Sequence, residues 1–307
     1  MVSVAKESRD EELCPVREAV DAAWERIDKL HKGDGALRGV PTGYADLDSY
    51  LSGLQRSDLV ILAARPSIGK TSLALNIARN VAKDENCAVG VFSLEMSREQ
   101  LVDKLLSSES NVDLWRIRTG RMRSDEYEND FVSVRNAMDS LSKAHIFLDD
   151  TPSPTVMELR AKARRLQAEH NLSLVVIDYL QLIKGHSKFE SRVQEVSEIS
   201  RGLKAMAKEL NIPVLALSQL SRGIEMRGPS SKPKLSDLRE SGSIEQDADV
   251  VMFIYREDKT KENSDKKGIA EIMIEKHRNG PTGKIELFFH EETASFRSIA
   301  KHFEEPV

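Results

Sequence analysis

Cysteine is nearly missing from this chain: there are two in 307 residues, Cys14 and Cys87. They stand far apart and match no metal-ligand spacing. That excludes a disulfide scaffold and a cysteine-based metal site, and the two read as free thiols of a reducing cytoplasm. Apolar runs of membrane length are missing too, which excludes a spanning helix. Residues 1–12, MVSVAKESRDEE, are polar and acidic, so they read as a disordered tail and not as a signal peptide. An excess of positive charge is missing as well. The 45 basic and 50 acidic residues leave a formal charge of −5. Nothing global therefore attracts nucleic acid, and any such binding must come from local basic loops. No internal repeat stands out. What remains is an ordinary soluble composition, 40% hydrophobic and 31% charged, long enough for one large domain plus appendages.

The segment CPVREAVDAAWERIDKLHKG reads as a helix over residues 13–32. Pro15 suits its first turn and Gly33 its C-terminal cap. Val16, Val20, Ala23, Trp24, Ile27 and Leu30 fall on one face. Such a face needs a cover, either its own domain or a neighbouring subunit, and the pattern leaves both open. A Gly-rich connector, KGDGALRGVPT, follows, and residues 33–307 read as one domain.

Beyond Gly43 the chain alternates. Strands are expected at 58–64, 88–93, 145–150, 174–178 and 213–218, and helices fill the gaps, for example 70–83, 97–107, 155–170 and 195–210. Thr155 and Glu158 have the spacing of a capping box. Apolar strands separated by helices predict an α/β fold, a mostly parallel twisted sheet with helices on both faces. Three later strands, 248–255, 269–275 and 284–290, have connections too short for crossover helices. They should extend one edge as an antiparallel meander, with REDKTKENSDKKG as a solvated hairpin loop.

A strand, then Ala64-Arg65-Pro66-Ser67-Ile68-Gly69-Lys70-Thr71-Ser72, then a helix is the setting of a P-loop, with alanine where glycine is usual. Backbone N–H groups of such a loop and of the helix N-terminus hold phosphate oxygens. Lys70 would reach the outer phosphates, and the Thr71 hydroxyl would hold Mg²⁺. Ala64 is small and can end the strand if its φ stays negative. Asp178 ends the apolar strand SLVVID, where a carboxylate would serve the metal or merely cap the strand. Glu95 lies just past another strand end, as a general base for water or as a helix N-terminal carboxylate. Gln219 ends a third strand, as a γ-phosphate sensor or a turn residue.

Together these segments resemble the replicative DNA helicase family of the DnaB type, in its RecA-like motor domain. The resemblance rests on GVPTGYADLD, AARPSIGKTSLALNIA, FSLEMS, IRTG, DDTPS, VVIDYLQLI, EVSEISRGLKAMAKEL, PVLALSQLSR, DLRESGSIEQDADVV and KHRNGPTG, and covers residues ~13–300. It implies a RecA-like P-loop NTPase fold with ATP and Mg²⁺ as cofactors. Lys70 and Thr71 would bind phosphates and Mg²⁺, Glu95 would be the catalytic base, and Asp178 the second metal-site carboxylate. Gln219 would couple nucleotide state to the DNA loops. Lys276 and Arg278 match the finger that reaches a neighbouring subunit's γ-phosphate. On residue type alone these two are a basic turn before Gly280-Pro281. Arg222, Arg239, Glu240 and Gly242 match positions that contact single-stranded DNA in the pore of a homo-hexamer, and 184–192 is a further loop candidate. Few aromatics occur in these segments, which disfavours base stacking of the OB-fold kind. The resemblance also implies that the helix at 13–32 is a linker that docks on the adjacent subunit.

The family's partners extend to primase and a helicase loader. Its globular N-terminal domain has no counterpart in the ~12 residues before the helix. A truncated piece and a naturally short relative both fit. The expected setting is the bacterial cytoplasm at the replication fork, with no membrane partner. The leading expectation is therefore an ATP-driven replicative DNA helicase motor. A recombinase-like filament protein is the runner-up within the fold, and DLRESGSIEQDADVV favours the helicase. A non-hydrolysing assembly module would need neither Glu95 nor Arg278.

Overall fold

The computed structural model describes residues 15–33, 37–83, 87–125, 129–186, 191–221, 224, 227, 231–238, 242–261 and 264–299. The expected tail at 1–12, Cys14, residues 187–190 of the loop at 184–192, and Arg222, Arg239 and Glu240 lie outside the described residues. The chain divides after Arg38 into two units. The first holds helix α1 (Val16–Lys32), on which Val16, Val20, Trp24 and Ile27 are all exposed.

The second unit is an α/β sandwich. Its elements are α2 (Ala45–Leu51), β1 (Leu59–Ala64), α3 (Lys70–Ala82), β2 (Ala88–Ser93), α4 (Arg98–Ser110), α5 (Leu114–Thr119), α6 (Asp130–Lys143), β3 (Ile146–Asp149), α7 (Val156–Glu169), β4 (Leu172–Asp178), α8 (Arg192–Leu210), β5 (Val214–Gln219), α9 (Gly242–Asp247), β6 (Val250–Arg256), β7 (Ile269–His277), β8 (Gly283–His290) and β9 (Ser295–Ser298). The sheet order is β3-β2-β4-β5-β1-β6-β7-β8-β9. The first six strands are parallel, and β6 to β9 form an antiparallel meander at one edge.

Strand β1 shows why both faces are covered. Every residue in it is buried. Successive side chains point to opposite faces, so Val60, Leu62 and Ala64 join Leu73 and Ile77 of α3 on one side. Leu59, Ile61 and Ala63 join Leu203 and Met206 of α8 on the other. A strand that is apolar at every position can be buried only between two helix layers. The expected capping box is present on α7: Thr155 Oγ1 accepts from the Glu158 N–H, and the Glu158 carboxylate accepts from the Thr155 N–H at 2.7 Å.

The structure adds elements that the pattern did not predict. α2, α5 and α9 are six or seven residues long, too short for a periodic signal. α6 is a further addition, and β9 has four residues in a turn-rich stretch. The segment 256–268 needs a correction: it is not simply a solvated loop. Arg256 is 1% exposed and is the largest fully buried side chain. Its guanidinium donates to Asp258 at 2.7 Å and Glu291 at 3.1 Å and lies 4.7 Å from the centre of the Phe289 ring. Two carboxylates and an aromatic face replace the water it loses. Burial pushes the Asp258 carboxyl up, and the bonds from Arg256 and Gly268 bring it net below the usual range.

Removing the cation leaves Asp258 without its main partner. Arg256→Ala should lower stability by about 3–5 kcal/mol, read by denaturant unfolding.

Candidate active site

Strand β1 ends at Ala64, which remains a strand residue in register with Gln219 of β5. Its carbonyl accepts from the Leu220 N–H at 3.1 Å. Its φ is not positive, so the missing glycine costs nothing at this position. The left-handed conformations come later in the loop, at Ser67 (φ 63) and Gly69 (φ 109). A Cβ at Gly69 would lie 3.0 Å from the Phe296 ring and 3.3 Å from that of Phe289. The left-handed backbone calls for glycine there, and the space beside it is tight. Lys70 then begins α3, and the loop, the helix N-terminus and its first-turn residues Thr71 and Ser72 open onto a cavity of about 450 Å³.

The neighbouring strand ends complete the wall. Asp178, buried at the end of β4, accepts from Thr71 Oγ1 through its Oδ2 at 2.6 Å. Its other oxygen, Oδ1, is buried without a hydrogen-bond partner, with the Lys70 ammonium 3.8 Å away. Lys70 also stands 4.4 Å over the Tyr179 ring. Burial pulls the Lys70 amine below its ordinary value, and the charges of Asp178 and Glu95 oppose that shift. Glu95 follows β2 in a turn fixed by Ser93, whose hydroxyl donates to the Met96 carbonyl at 2.7 Å. The turn aims Glu95 into the cavity, and Gln219 enters it from the end of β5. One end of the sheet thus gathers Lys70, Thr71, Glu95, Asp178 and Gln219.

Two other expected residues are not gathered there. Arg278 follows β7, and its N–H donates to the Asp249 carbonyl at 2.8 Å. Asp249 in turn donates to Leu59, the first residue of β1. Arg278 therefore lies at the amino edge of the parallel strands, about 16 Å of strand away from the loop that follows Ala64. Its side chain is 63% exposed, 3.5 Å from Asp249. Lys276 is engaged within its own chain: its ammonium donates to the carbonyls of Glu245 and Ala248 at the C-terminal end of α9, the latter at 2.7 Å. That is where a cation is favoured by the helix dipole. Gly242 begins α9, whose two preceding residues, 240 and 241, are not described.

Two participants were missed in the sequence. Lys104 of α4 lines the cavity. Burial lowers its amine pKa, Asp178 opposes that shift, and Arg118 adds to it. The signal was available: Lys104 stands between Leu101, Leu105 and Ser108, on the buried side of its helix. Gln181 is the second. Its amide accepts from the Gln219 N–H at 3.3 Å and donates to Ser218 Oγ at 2.9 Å, tying the segment after β4 to the end of β5. Nothing in the spacing of VVIDYLQL marks it.

The chain is similar to known proteins over most of its length. Residues 39–298 match the family described as DnaB-like helicase C terminal domain. The replicative DNA helicase DnaB of Geobacillus stearothermophilus is 50% identical over 291 residues, covering 94% of this chain and 63% of its own length. The replicative DNA helicase DnaC of Bacillus subtilis is 46% identical over 306 residues, covering 99% of this chain and 66% of its own. The chain thus spans just under two thirds of the length of these relatives. A solved ATPase domain superposes with TM-score 0.88 at 37% identity, over 94% of this chain and all of that one. A DnaB-like replicative helicase, described with its interactions with primase, gives 0.84 at 36% identity, over 95% and 68%.

Lys104 makes a prediction about cost. Lys104→Met should raise the thermal stability of the ligand-free protein by about 0.5–2 kcal/mol while weakening triphosphate binding. The burial cost applies when the amine is protonated. The gain should therefore shrink as pH rises from the lowered folded value toward the free-lysine value of 10.5.

Proposed function

The chain belongs to the DnaB-like helicase family, through its C-terminal domain, and on that premise we propose that it is an ATP-driven motor acting on single-stranded DNA. The observation that carries the reading is the state of Asp178: one oxygen bound by the Thr71 hydroxyl, the other buried without a hydrogen-bond partner beside Lys70. A buried anionic oxygen with an ammonium at 3.8 Å but no hydrogen bond is incompletely compensated, and a metal ion or a metal-bound water would complete it. Thr71 and Asp178 therefore fit Mg²⁺, which would bring charge neutralisation to the phosphates of bound ATP.

The remaining roles follow from what each side chain can do. The N–H groups of residues 67–71 and the amino end of α3 hold phosphate oxygens. Lys70 and Lys104 supply two cations, and an anion would offset the loss of water that burial imposes on each. Glu95 takes the proton of the attacking water. Gln219, braced by Gln181, carries the occupancy of the cavity into β5 and so toward Arg222. Arg222, Arg239, Glu240 and Gly242 hold the DNA backbone, a sequence-independent and salt-sensitive task.

Arg278 cannot serve the phosphates of its own chain from the opposite edge of the sheet. We assign it, with Lys276 beside it, to the site of an adjacent copy, where a cation stabilises charge in the phosphoryl-transfer transition state. Lys276 would first have to release the carbonyls of α9. This requires a head-to-tail assembly, which we propose is a homo-hexameric ring, with α1 as the linker whose exposed apolar face docks on the next subunit. Primase and a helicase loader are proposed partners. The proposed setting is the bacterial cytoplasm; among the described residues no helix is long and apolar enough to cross a membrane.

The test uses two inactive proteins. Arg278→Ala should bind ATP yet lose DNA-stimulated turnover, and Lys70→Ala should lose binding. Mixed, they should regain part of the activity, because one hybrid interface has both halves intact. A strictly monomeric chain that hydrolyses ATP at the full DNA-stimulated rate would overturn the shared site. For the pore, Arg239→Ala should weaken single-stranded DNA binding and reduce the slope of log affinity against log salt by about 1. An unchanged slope removes Arg239 from the DNA contacts.

A further inference from the structure

The helix that follows the phosphate loop carries a polar residue where its pattern calls for an apolar one. In α3, Leu73, Ala74, Ile77 and Ala78 enter the core, and Asn76 among them is 1% exposed. An asparagine buried inside a helix is costly unless its amide is used. Here both ends are used. The backbone N–H of Phe296 can only donate, so the atom it meets at 2.7 Å is Asn76 Oδ1. That fixes Nδ2 on the other side, where it donates to Ser108 Oγ at 2.9 Å. The Tyr44 hydroxyl donates more weakly to Oδ1 at 3.5 Å. Ser108 Oγ accepts a second bond from Arg79 Nη1 at 2.6 Å, and Arg79 pairs with Glu109 at 3.4 Å. Donors from α3 thus meet acceptors from α4 at one buried point.

Both arms of this junction end at the cleft. Ser108 stands one helical turn beyond Lys104 on α4, and the same helix starts from Ser97, two residues after Glu95. Phe296, held by its N–H, packs its ring against Gly69. Leu101 and Leu105 also fix α4 to the core, through apolar burial that is itself non-directional. Hydrogen bonds of 2.6 to 2.9 Å are directional and do resist sliding.

We infer that the Asn76–Ser108 bond is a clasp that sets the register of α4 against the phosphate-loop helix, and so places Lys104 opposite Lys70 and Thr71. Asn76 and Ser108 are positioning residues and touch no phosphate. The inference rests on the nucleotide reading given above. Misplacement of a charged group by about 1 Å can cost about 100-fold in rate, so a small slip of α4 is enough to matter.

The experiment is a double-mutant cycle between Ser108→Ala and Lys104→Ala in the full chain, with Ser108 chosen because Asn76→Ala threatens folding. DNA-stimulated ATP turnover, ADP affinity and the thermal midpoint are measured well below unfolding. Ser108→Ala is expected to lower kcat about tenfold or more while ADP affinity stays within about twofold. In the Lys104→Ala background the same change should add less than about twofold, because its target is gone. A lowered midpoint with unchanged kcat, or losses that multiply in the double variant, would overturn the clasp. Failure of the underlying reading is seen in the unmodified protein, as absence of nucleotide binding. If that protein binds nucleotide without turning it over, the clasp predicts a lower ratio of triphosphate to diphosphate affinity in Ser108→Ala, and an unchanged ratio overturns it.

Discussion

The structure is organised around a carboxylate that is only half satisfied. Asp178 sits at the carboxyl end of β4, buried, with Thr71 on one oxygen and no hydrogen bond on the other. A folded chain tolerates such a group only if the surrounding frame is stable enough to hold it. That frame is the parallel sheet, whose strand ends are fixed to one another by ladder bonds and clamped between two helix layers. In the cleft this frame leaves charge incompletely compensated. Lys70 and Lys104 are cations whose burial lowers their pKa, and Asp178 is an anion short of a partner. A magnesium triphosphate supplies both signs at once, which a simple anion or a bare cation does not.

Rigidity behind the cleft comes from residues that never enter it. The alternation of β1 sends Val60 and Leu62 to one layer and Leu59 and Ile61 to the other, so the strand cannot slip by one residue without burying the wrong face. On the far side of the phosphate loop, Phe289 and Phe296 meet in a tilted contact, ring centres 4.6 Å apart, and close the space that Gly69 leaves open. The antiparallel meander is thus more than an edge. It carries β9 back against α3, where Asn76 receives it, and it carries Arg278 away to the opposite end of the sheet.

Much of this was legible in the sequence because its cause is local. A strand that ends in a phosphate loop, and a strand that ends in Asp178, announce themselves through apolar runs and the residues that stop them. The predicted span 88–93 and the observed β2 coincide for that reason. The resemblance to a known family added roles for Glu95, Gln219 and Arg278 that spacing alone left open. What stayed hidden is tertiary. Arg256 opens a segment that looks charged and solvated, and only the fold brings Glu291 and Phe289 to it. Asn76 looks like an interruption in an apolar helix until β9 arrives. β9 itself is four residues long, too short to signal alone and held by its neighbours.

The two ends of the sheet also bear on the proposal that the site is shared between copies. Parallel strands gather their ligand chemistry at the carboxyl edge, because crossover helices start there and point their amide ends at it. Antiparallel strands added at the rim run back toward the amino edge and deliver whatever follows them there. A cation placed after β7 is therefore about a strand length from its own phosphates and free to face outward. In a head-to-tail array the amino edge of one copy can meet the carboxyl edge of the next, so the topology that denies Arg278 to its own cleft makes it available to another. On that reading, catalysis depends on assembly through sheet topology itself, with no need for a separate regulatory element to withhold the last charge.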